Sequence, residues 1–390
     1  MREIEVKSTA TQCQKCVKCI NLRPDVCAMY EEYKSQALTP PAIFLMADVI
    51  LDGEIEPTAE RSITPFACTM CGACANACYS MFIHFGWEYP TKLIEGIREL
   101  FVEEGAVPEE ISEVLRNVYN TKNAWGLPQS QRVDWEKKSE VPIPDFTKEK
   151  NEYLLYVGDA SLIAETVHIP AVVAKLLHLG GVDFGTLKEK ETDSGNEVRE
   201  LGESGLFEAM ADENIEAFEK LGVKKVITIS PHDYQAFNTD YPDLGTEFEV
   251  YHYTQILEDL IKEGKIKPIK EISQTVTFQD PCHLGRYNKI YETPRNILKE
   301  IPGIKLVEMP SNRKEAFCCG GGGGRMWYDE PAKYRKNRIS DIRVGHAKEV
   351  DAEVIGTACP YCLSMLIAAG NLDGTSVKDI AELVLESLEQ

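Results

Sequence analysis

The sequence has no long apolar run. Its most hydrophobic stretch, AIFLMADVIL from Ala42, is broken by Asp48 and falls short of the roughly 18–20 residues that cross a bilayer, which excludes a direct membrane span. Positive charge is also scarce: 42 Lys and Arg stand against 63 Asp and Glu, a net charge of −21. A chain of that sign repels phosphate backbones and the anionic cytoplasmic leaflet, so nucleic acid and unaided lipid are excluded as partners. The first residues, MREIEVKSTATQ, carry no apolar signal core, so a cytoplasmic chain is expected, held at a membrane only by a partner. With 43% hydrophobic residues, 390 residues suffice for two or three packed domains.

What the sequence has in excess is cysteine. Thirteen thiols in a reducing compartment are not explained by disulfides, and metal or redox chemistry is the default. CTMCGACANAC sets Cys68, Cys71, Cys74 and Cys78 at C-x2-C-x2-C-x3-C spacing, which wraps three thiolates around one corner of a cubane and sends the fourth away on the following helix. Zinc typically takes two separated C-x2-C pairs instead. CQKCVKCINLRPDVC repeats the first three positions, Cys13, Cys16 and Cys19, but stretches the last gap to seven residues before Cys27. In two-cluster ferredoxins the fourth cysteine of each run ligates the other cluster. By that rule Cys13, Cys16, Cys19 and Cys78 hold one [4Fe-4S] cubane, and Cys68, Cys71, Cys74 and Cys27 hold the second. Two such clusters close together make an electron relay.

The remaining cysteines, Cys282, the pair Cys318 and Cys319, and Cys359 with Cys362, differ in kind. Five thiolates are one too many for a cubane or a zinc ion, and adjacent Cys318 and Cys319 do not both fit one corner of a cube. An opened cluster with irons bridged by cysteine sulfur is the expectation. Gly320, Gly321 and the three glycines after them allow the backbone to approach a cluster or ligand closely. Cys359 ends an expected strand, with Pro360 where a helix begins, so its thiol is expected to have a lowered pKa. A thioredoxin-like C-x-x-C explains neither Cys282 nor the vicinal pair, and no Walker lysine accompanies the glycines. His283 is a candidate proton donor to a departing thiol, the alternative being a hydrogen-bonded structural histidine. Arg286 and Arg325 are candidates for binding an anionic substrate or for pairing with carboxylates.

Residues 1–125 read as a small helical domain, with apolar residues at helical spacing over Lys92–Phe101 and Pro108–Val118. Residues 126–150, rich in Pro and charge, read as a linker running over a surface. Beyond them short apolar runs at Leu154, Val226, Val276 and Val354 alternate with helical stretches, the pattern of parallel α/β units. These units form an internal repeat, over 151–266 and 267–390. GDAS at Gly158 aligns with DPCH at Asp280, TDSG at Thr192 with FCCG at Phe317, and SPHD at Ser230 with CPYC at Cys359. Where the second copy has five cysteines the first has Asp159, Asp193, Ser194, Ser230 and Asp233. Carboxylates seldom replace a full thiolate set, so the first copy is expected to be a scaffold without a cluster.

The two ferredoxin motifs, NTKNAWGLPQSQRVDW, FCCGGGGGRMW, GTACPYCLSML and the terminal DIAELVLESL together make the chain resemble, over essentially its whole length, the iron–sulfur proteins with a Cys-Cys-Gly (CCG) domain. The D-type catalytic subunit of heterodisulfide reductase is the member it resembles most. The resemblance implies an α+β and α/β chain: an N-terminal helical two-cluster ferredoxin-like domain followed by two tandem α/β CCG domains with parallel sheets. It implies as cofactors two [4Fe-4S] cubane clusters and one non-cubane [4Fe-4S] cluster on Cys282, Cys318, Cys319, Cys359 and Cys362, where a disulfide is bound and cleaved. Full heterodisulfide reductases carry five cysteines in both copies. Five in one copy speak against a second non-cubane cluster and against the methanogenic heterodisulfide as substrate. Single-site relatives in membrane complexes resemble this pattern; they work with a quinone-linked cytochrome b-type (haem b) subunit on a disulfide or trisulfide, borne in sulfur metabolism by a small carrier protein. The chain is accordingly expected to be peripheral, on the inner face of the cell membrane. Iron–sulfur relay subunits of flavin-dependent glycolate or lactate oxidases share the domain order and are the competing reading, and subunits of benzoyl-CoA-reductase-type assemblies are a third.

Overall fold

The computed structural model describes residues 26–78, 89–246, 248–329 and 334–388; Cys13, Cys16 and Cys19 lie outside them. The described residues open with helices α1 (Ala28–Tyr33), α2 (Pro40–Leu51), α3 (Ala59–Phe66), α4 (Ala73–Ala77), α5 (Tyr89–Glu103) and α6 (Glu109–Thr121). The apolar run from Ala42 is explained by α2, which starts on two prolines whose missing N–H groups cost nothing in a first turn, and which buries Ile43, Phe44 and Ala47. Helices α5 and α6 bury Leu93, Ile94, Ile97 and Phe101, and Ile111, Val114 and Val118, the stripes legible in the sequence. Among the described residues no helix is long and apolar enough to cross a membrane.

The stretch expected to be a surface linker is exposed or half-buried over most of its length but is pinned by three buried side chains, Arg132, Trp135 and Phe146. A 3-10 segment, Gln129–Lys138, buries Trp135 and Arg132. The Arg132 guanidinium donates to the carbonyls of Lys122 (2.8 Å) and Gly158 (3.3 Å), which ties the helical part to the first sheet.

Two four-stranded parallel sheets follow. The first comprises β1 (Tyr153–Tyr156), β2 (Phe184–Gly185), β3 (Lys225–Thr228) and β4 (Glu249–His252), in the order β2-β1-β3-β4. The second comprises β5 (Gln274–Phe278), β6 (Ile304–Val307), β7 (Val354–Thr357) and β8 (Ser376–Asp379), in the order β6-β5-β7-β8. The identical order is the structural form of the sequence repeat. In the first copy the connecting helices are α7 (Ile169–Leu179), α8 (Asn196–Glu200), α9 (Ser204–Leu221), α10 (Pro231–Gln235) and α11 (Tyr253–Lys262). The second copy has α12 (Glu292–Glu300), α13 (Ile339–Lys348), α14 (Pro360–Ile367) and α15 (Ile380–Glu386). One apolar core, from Leu155, Ile227 and Leu257 to Val276, Ile297 and Leu383, runs through both copies. Tyr253 Oη donates to Asp379 Oδ1 (2.6 Å) across the join.

His252 is a structural residue in this frame. It ends β4 and caps α11, with Nδ1 2.8 Å from the Thr254 hydroxyl and Nε2 3.1 Å from the Ile229 carbonyl. A carbonyl can only accept, so Nε2 carries a proton. Burial holds its pKa down to about 3 from an ordinary 6.5. The unfolded chain therefore takes up a proton below about pH 6.5 that the folded chain refuses, and this contribution to stability is lost as pH falls toward about 3. His252→Asn is expected to flatten the loss of unfolding free energy over that window by up to about 1.4 kcal/mol per pH unit relative to wild type, measured by urea denaturation at several pH values.

Candidate metal centre

The C-terminal cysteines gather at the carboxyl ends of the second sheet's strands, the edge where open α/β sheets place their ligands. Cys282 follows β5 and precedes a π-turn, His283–Tyr287; Cys359 follows β7 and occupies the N-cap of α14, with Pro360 in the first turn and Cys362 inside it. Asp280 anchors the Cys282 turn by a paired contact with Arg295 (2.6 and 2.8 Å) and accepts the Arg313 backbone N–H (2.7 Å). Cys318 and Cys319 arrive on the loop beyond β6. As free thiols, Cys319 is hydrogen-bonded to Cys318 and Cys362, and Cys362 to Cys359, while Cys282 feels the charges of Cys318, Cys319 and Cys71. Four of these thiols are buried and Cys282 is partly exposed. Hydrogen bonds from Cys318 and Cys362 hold the Cys319 thiol well below its ordinary range. Burial opposes the same shift at Cys359 but is outweighed by bonds from Cys362 and His232. Burial pushes Cys282 well up.

The N-terminal motif meets this group directly. Cys27, the N-cap of α1, lies beside Cys68 and Cys71. Cys71 in turn bonds to Cys318. Cys74 sits in α4 and Cys78 at its C-cap. Backbone N–H groups point at two of the sulfurs, Met70 N at Cys68 Sγ (3.4 Å) and Gly320 N at Cys318 Sγ (3.3 Å). Among the described residues no three donors close on the position of a single ion. The thiols run instead in succession from Cys71 through Cys318, Cys319 and Cys362 to Cys359. Soft sulfur donors strung out in this way, with N–H groups aimed at them, fit iron–sulfur groups.

Glycine makes the meeting of the two loops possible. A Cβ on Gly322 would stand 2.6 Å from the Thr69 carbonyl oxygen, and one on Gly323 would stand 2.5 Å from that of Cys68. Gly323 also has φ +61°. The glycines thus admit the backbone of the other cysteine motif. Arg98, fully buried, braces the same loop by donating to the carbonyls of Pro65, Cys68 and Glu200. Arg286 donates to the carbonyls of Cys71 and Ala316, both at 2.6 Å, and Tyr287 Oη to that of Met70 (2.6 Å). Arg325 pairs with Glu32 and Asp329, each at 3.1 Å. Both arginines that are candidates for an anionic substrate make internal contacts, although Arg325 Nε is buried without a hydrogen-bond partner.

The first copy places Asp159, Asp193, Ser194, Ser230 and Asp233, all buried, at its own equivalent edge, joined by Glu191 and Glu197. Burial and the charge of Asp193 push Asp159 well up, with only Arg132 opposing them strongly. Burial, then the charge of Glu197, do the same to Asp233. Two histidines stand between the copies, with ring centroids 4.1 Å apart. His283 has Nε2 2.8 Å from Glu200 Oε1 and Nδ1 3.4 Å from Cys282 Sγ. Burial, followed by the charge of His232, brings its pKa down to about 4. For His232 burial acts downward, but the bond and charge of Cys359 and the carboxylates of Glu197 and Glu200 lift it to about 9.

Several residues here are not singled out by the sequence. Trp125, Met326 and Trp327 pack on Cys319, Cys359, Cys362, Tyr361 and Met365. The two tryptophan rings lie 5.1 Å apart, partly exposed, and cover the cysteines. Both tryptophans occur in the tracts NTKNAWG and GGGRMW, so a signal is present without a partner to read it against. Glu200 and Arg98 give none. Gly323→Ala is expected to destabilise by at least about 2 kcal/mol, from left-handed strain and overpacking. Gly345→Ala, in α13 with nothing within 4 Å of the new Cβ, is expected to stabilise by up to about 1 kcal/mol. Anaerobic urea denaturation of the two variants checks the difference.

Comparison with known proteins places this arrangement. The Cysteine-rich domain model (CCG) matches twice, over residues 162–235 and 276–367, once in each copy. The probable iron–sulfur-binding oxidoreductase FadF of Bacillus subtilis is 39% identical over 88% of this chain and 48% of its own length. The EtfAB:quinone oxidoreductase of Syntrophomonas wolfei is 36% identical over 93% of this chain and 50% of its own. The chain thus spans about half the length of these two relatives. The D-type subunit of the dihydromethanophenazine:CoB–CoM heterodisulfide reductase of Methanosarcina mazei is 32% identical over 82% of this chain and 77% of its own. With two matches to the cysteine-rich domain and this coverage of the reductase component, the chain belongs to the CCG-domain iron–sulfur oxidoreductase family that includes the D-type subunit of heterodisulfide reductase.

Proposed function

We propose that the chain is an iron–sulfur electron-transfer module in which two cubanes feed the CCG site, and that this site reduces or forms a disulfide or trisulfide. The observation that carries it is the contact between Cys71 and Cys318, a thiol of the ferredoxin motif against a thiol of the CCG site. In this reading Cys68, Cys71, Cys74 and Cys27 hold one cubane, and Cys13, Cys16, Cys19 and Cys78 the other. The five C-terminal cysteines hold a non-cubane [4Fe-4S] group, which when bound supplies single electrons and a thiophilic metal. Cleavage of one S–S bond consumes two electrons and two protons and releases two thiols. The chain's own part is to wall the site with Trp125, Trp327 and Met365, to hold Cys282 through Asp280, and to place His283, backed by Glu200, for proton transfer at the Cys282 end. The electron partner in this reading is a quinone-linked haem b subunit at the inner face of the membrane, and the disulfide is carried on a small protein.

A second reading is favoured by the identities of 39% and 36% to an iron–sulfur-binding oxidoreductase and an EtfAB:quinone oxidoreductase. In it the same conductor links a flavoprotein to quinone, and no bond is broken at the CCG site. Iron analysis with EPR of anaerobically purified protein separates the readings. About 12 irons, with a paramagnetic oxidised signal perturbed by added thiol, is the expected result. The same iron content with a signal indifferent to thiols but bleached by a reduced electron-transferring flavoprotein supports the second reading. Cys318→Ala is expected to lose about four irons and leave the cubane signals in place; retention of all iron would sink the assignment of the CCG site.

A further inference from the structure

The first copy does more than close the cleft. Ser230 stands where the second copy has Cys359, and His232 where it has Tyr361, yet the His232 ring crosses the join between the copies. Its centroid is 4.4 Å from that of Tyr361 and 4.1 Å from that of His283, and the ring bonds to Cys359. Nδ1 is engaged by Ser230 Oγ at 3.4 Å, and Glu197 Oε1 lies beyond hydrogen-bond distance at 4.0 Å, so the other ring nitrogen is the one available to the sulfur. Ser230 is itself fixed, because its Oγ accepts the His232 backbone N–H (3.2 Å). Glu197 comes from α8, which occupies the place that the glycine run takes in the second copy.

We propose that His232 is a hydrogen-bond donor from the first copy to Cys359 of the second, and that Ser230 is the positioning residue that aims it. An N–H directed at a ligand sulfur stabilises the extra negative charge of a reduced cluster, so His232 raises the reduction potential of the group held at the CCG site. The proposal rests on the reading that the five cysteines hold a four-iron cluster. It differs from the arrangement at His283, where Nε2 is spent on Glu200 and only Nδ1, 3.4 Å from Cys282 Sγ, meets a cysteine.

The test is a redox titration of the intact, cluster-loaded protein followed by EPR, with iron counted in each sample. His232→Phe keeps the ring and removes the donor, and His232→Gln keeps an N–H. The expected result is full iron in both, a midpoint at the CCG site shifted to more negative potential in H232F, cubane midpoints unchanged, and partial recovery in H232Q. An unchanged CCG midpoint in fully loaded H232F overturns the proposal, as does an equal shift of all three signals. If H232F loses about four irons, Ser230→Ala is titrated instead, since it keeps the histidine and removes its support. A negative shift confined to the CCG site in S230A supports the proposal, and no shift overturns it. Wild-type protein with about eight irons and no third signal would remove the cluster reading itself, and the proposal with it.

Discussion

The structure depends on two backbones meeting with no side chain between them. The Cys68–Met70 loop of the helical part lies on Gly322 and Gly323 of the second α/β copy, where added Cβ atoms would fall 2.6 and 2.5 Å from carbonyl oxygens. Such contact is available only to glycine, and it brings Cys71 against Cys318. The rest of the centre can be understood as support for that contact. Arg98, Arg286 and Tyr287 each donate to carbonyls of the same loop, so the oxygens drawn into the interior are paired and not orphaned. Charged donors make these bonds strong, and their geometry fixes the loop more tightly than apolar packing alone would.

The two copies keep one architecture around different side-chain chemistry. Both retain the same strand order and the same strand-end geometry. The first copy has replaced thiols by Asp and Ser, and glycines by the side chains of α8. The replacements give it a carboxylate-rich interior in which burial raises Asp159, Asp193 and Asp233 above the usual range. Ionised carboxylates at that density would be costly without partners, and Arg132, drawn in from the 3-10 segment before β1, answers part of the cost. The packing of that segment is therefore a consequence of the first copy's chemistry, and its burial of Trp135 follows from the same requirement.

The legible and illegible parts of the fold divide on physical grounds. Central strands β1, β3, β5 and β7 announce themselves as apolar runs because both faces are covered. Edge strands do not: β2 is Phe184–Gly185, and β8 is SVKD, short or polar, as edge strands tend to be. The stripes of α5 and α6 are readable from spacing alone. The segment 126–150 has the composition of a linker because Pro and charge dominate it, while three buried side chains, Arg132, Trp135 and Phe146, decide its placement. At the candidate site the cysteine spacing shows which residues belong to a set. It does not show that one set touches the other, since that depends on what the glycines face. Arg286 and Arg325, next to cysteines in sequence, serve carbonyls and carboxylates that are mostly distant in sequence.

A histidine beside a cysteine in sequence and a histidine beside a cysteine in space need not be the same residue. His283 adjoins Cys282 in sequence and meets it in space through Nδ1, at 3.4 Å, but its Nε2 is committed to Glu200, at 2.8 Å between two buried groups, so it is not the histidine that faces Cys359. His232 is far from Cys359 in sequence, on the other copy, and reaches it only because the copies pack strand end to strand end. The same join sends Tyr361 the other way, toward Glu197 and the acidic interior. Each copy therefore lends one side chain to its neighbour's strand ends. The copy without cysteines is part of the site all the same, because one of the groups beside the thiol of Cys359 comes from its sequence.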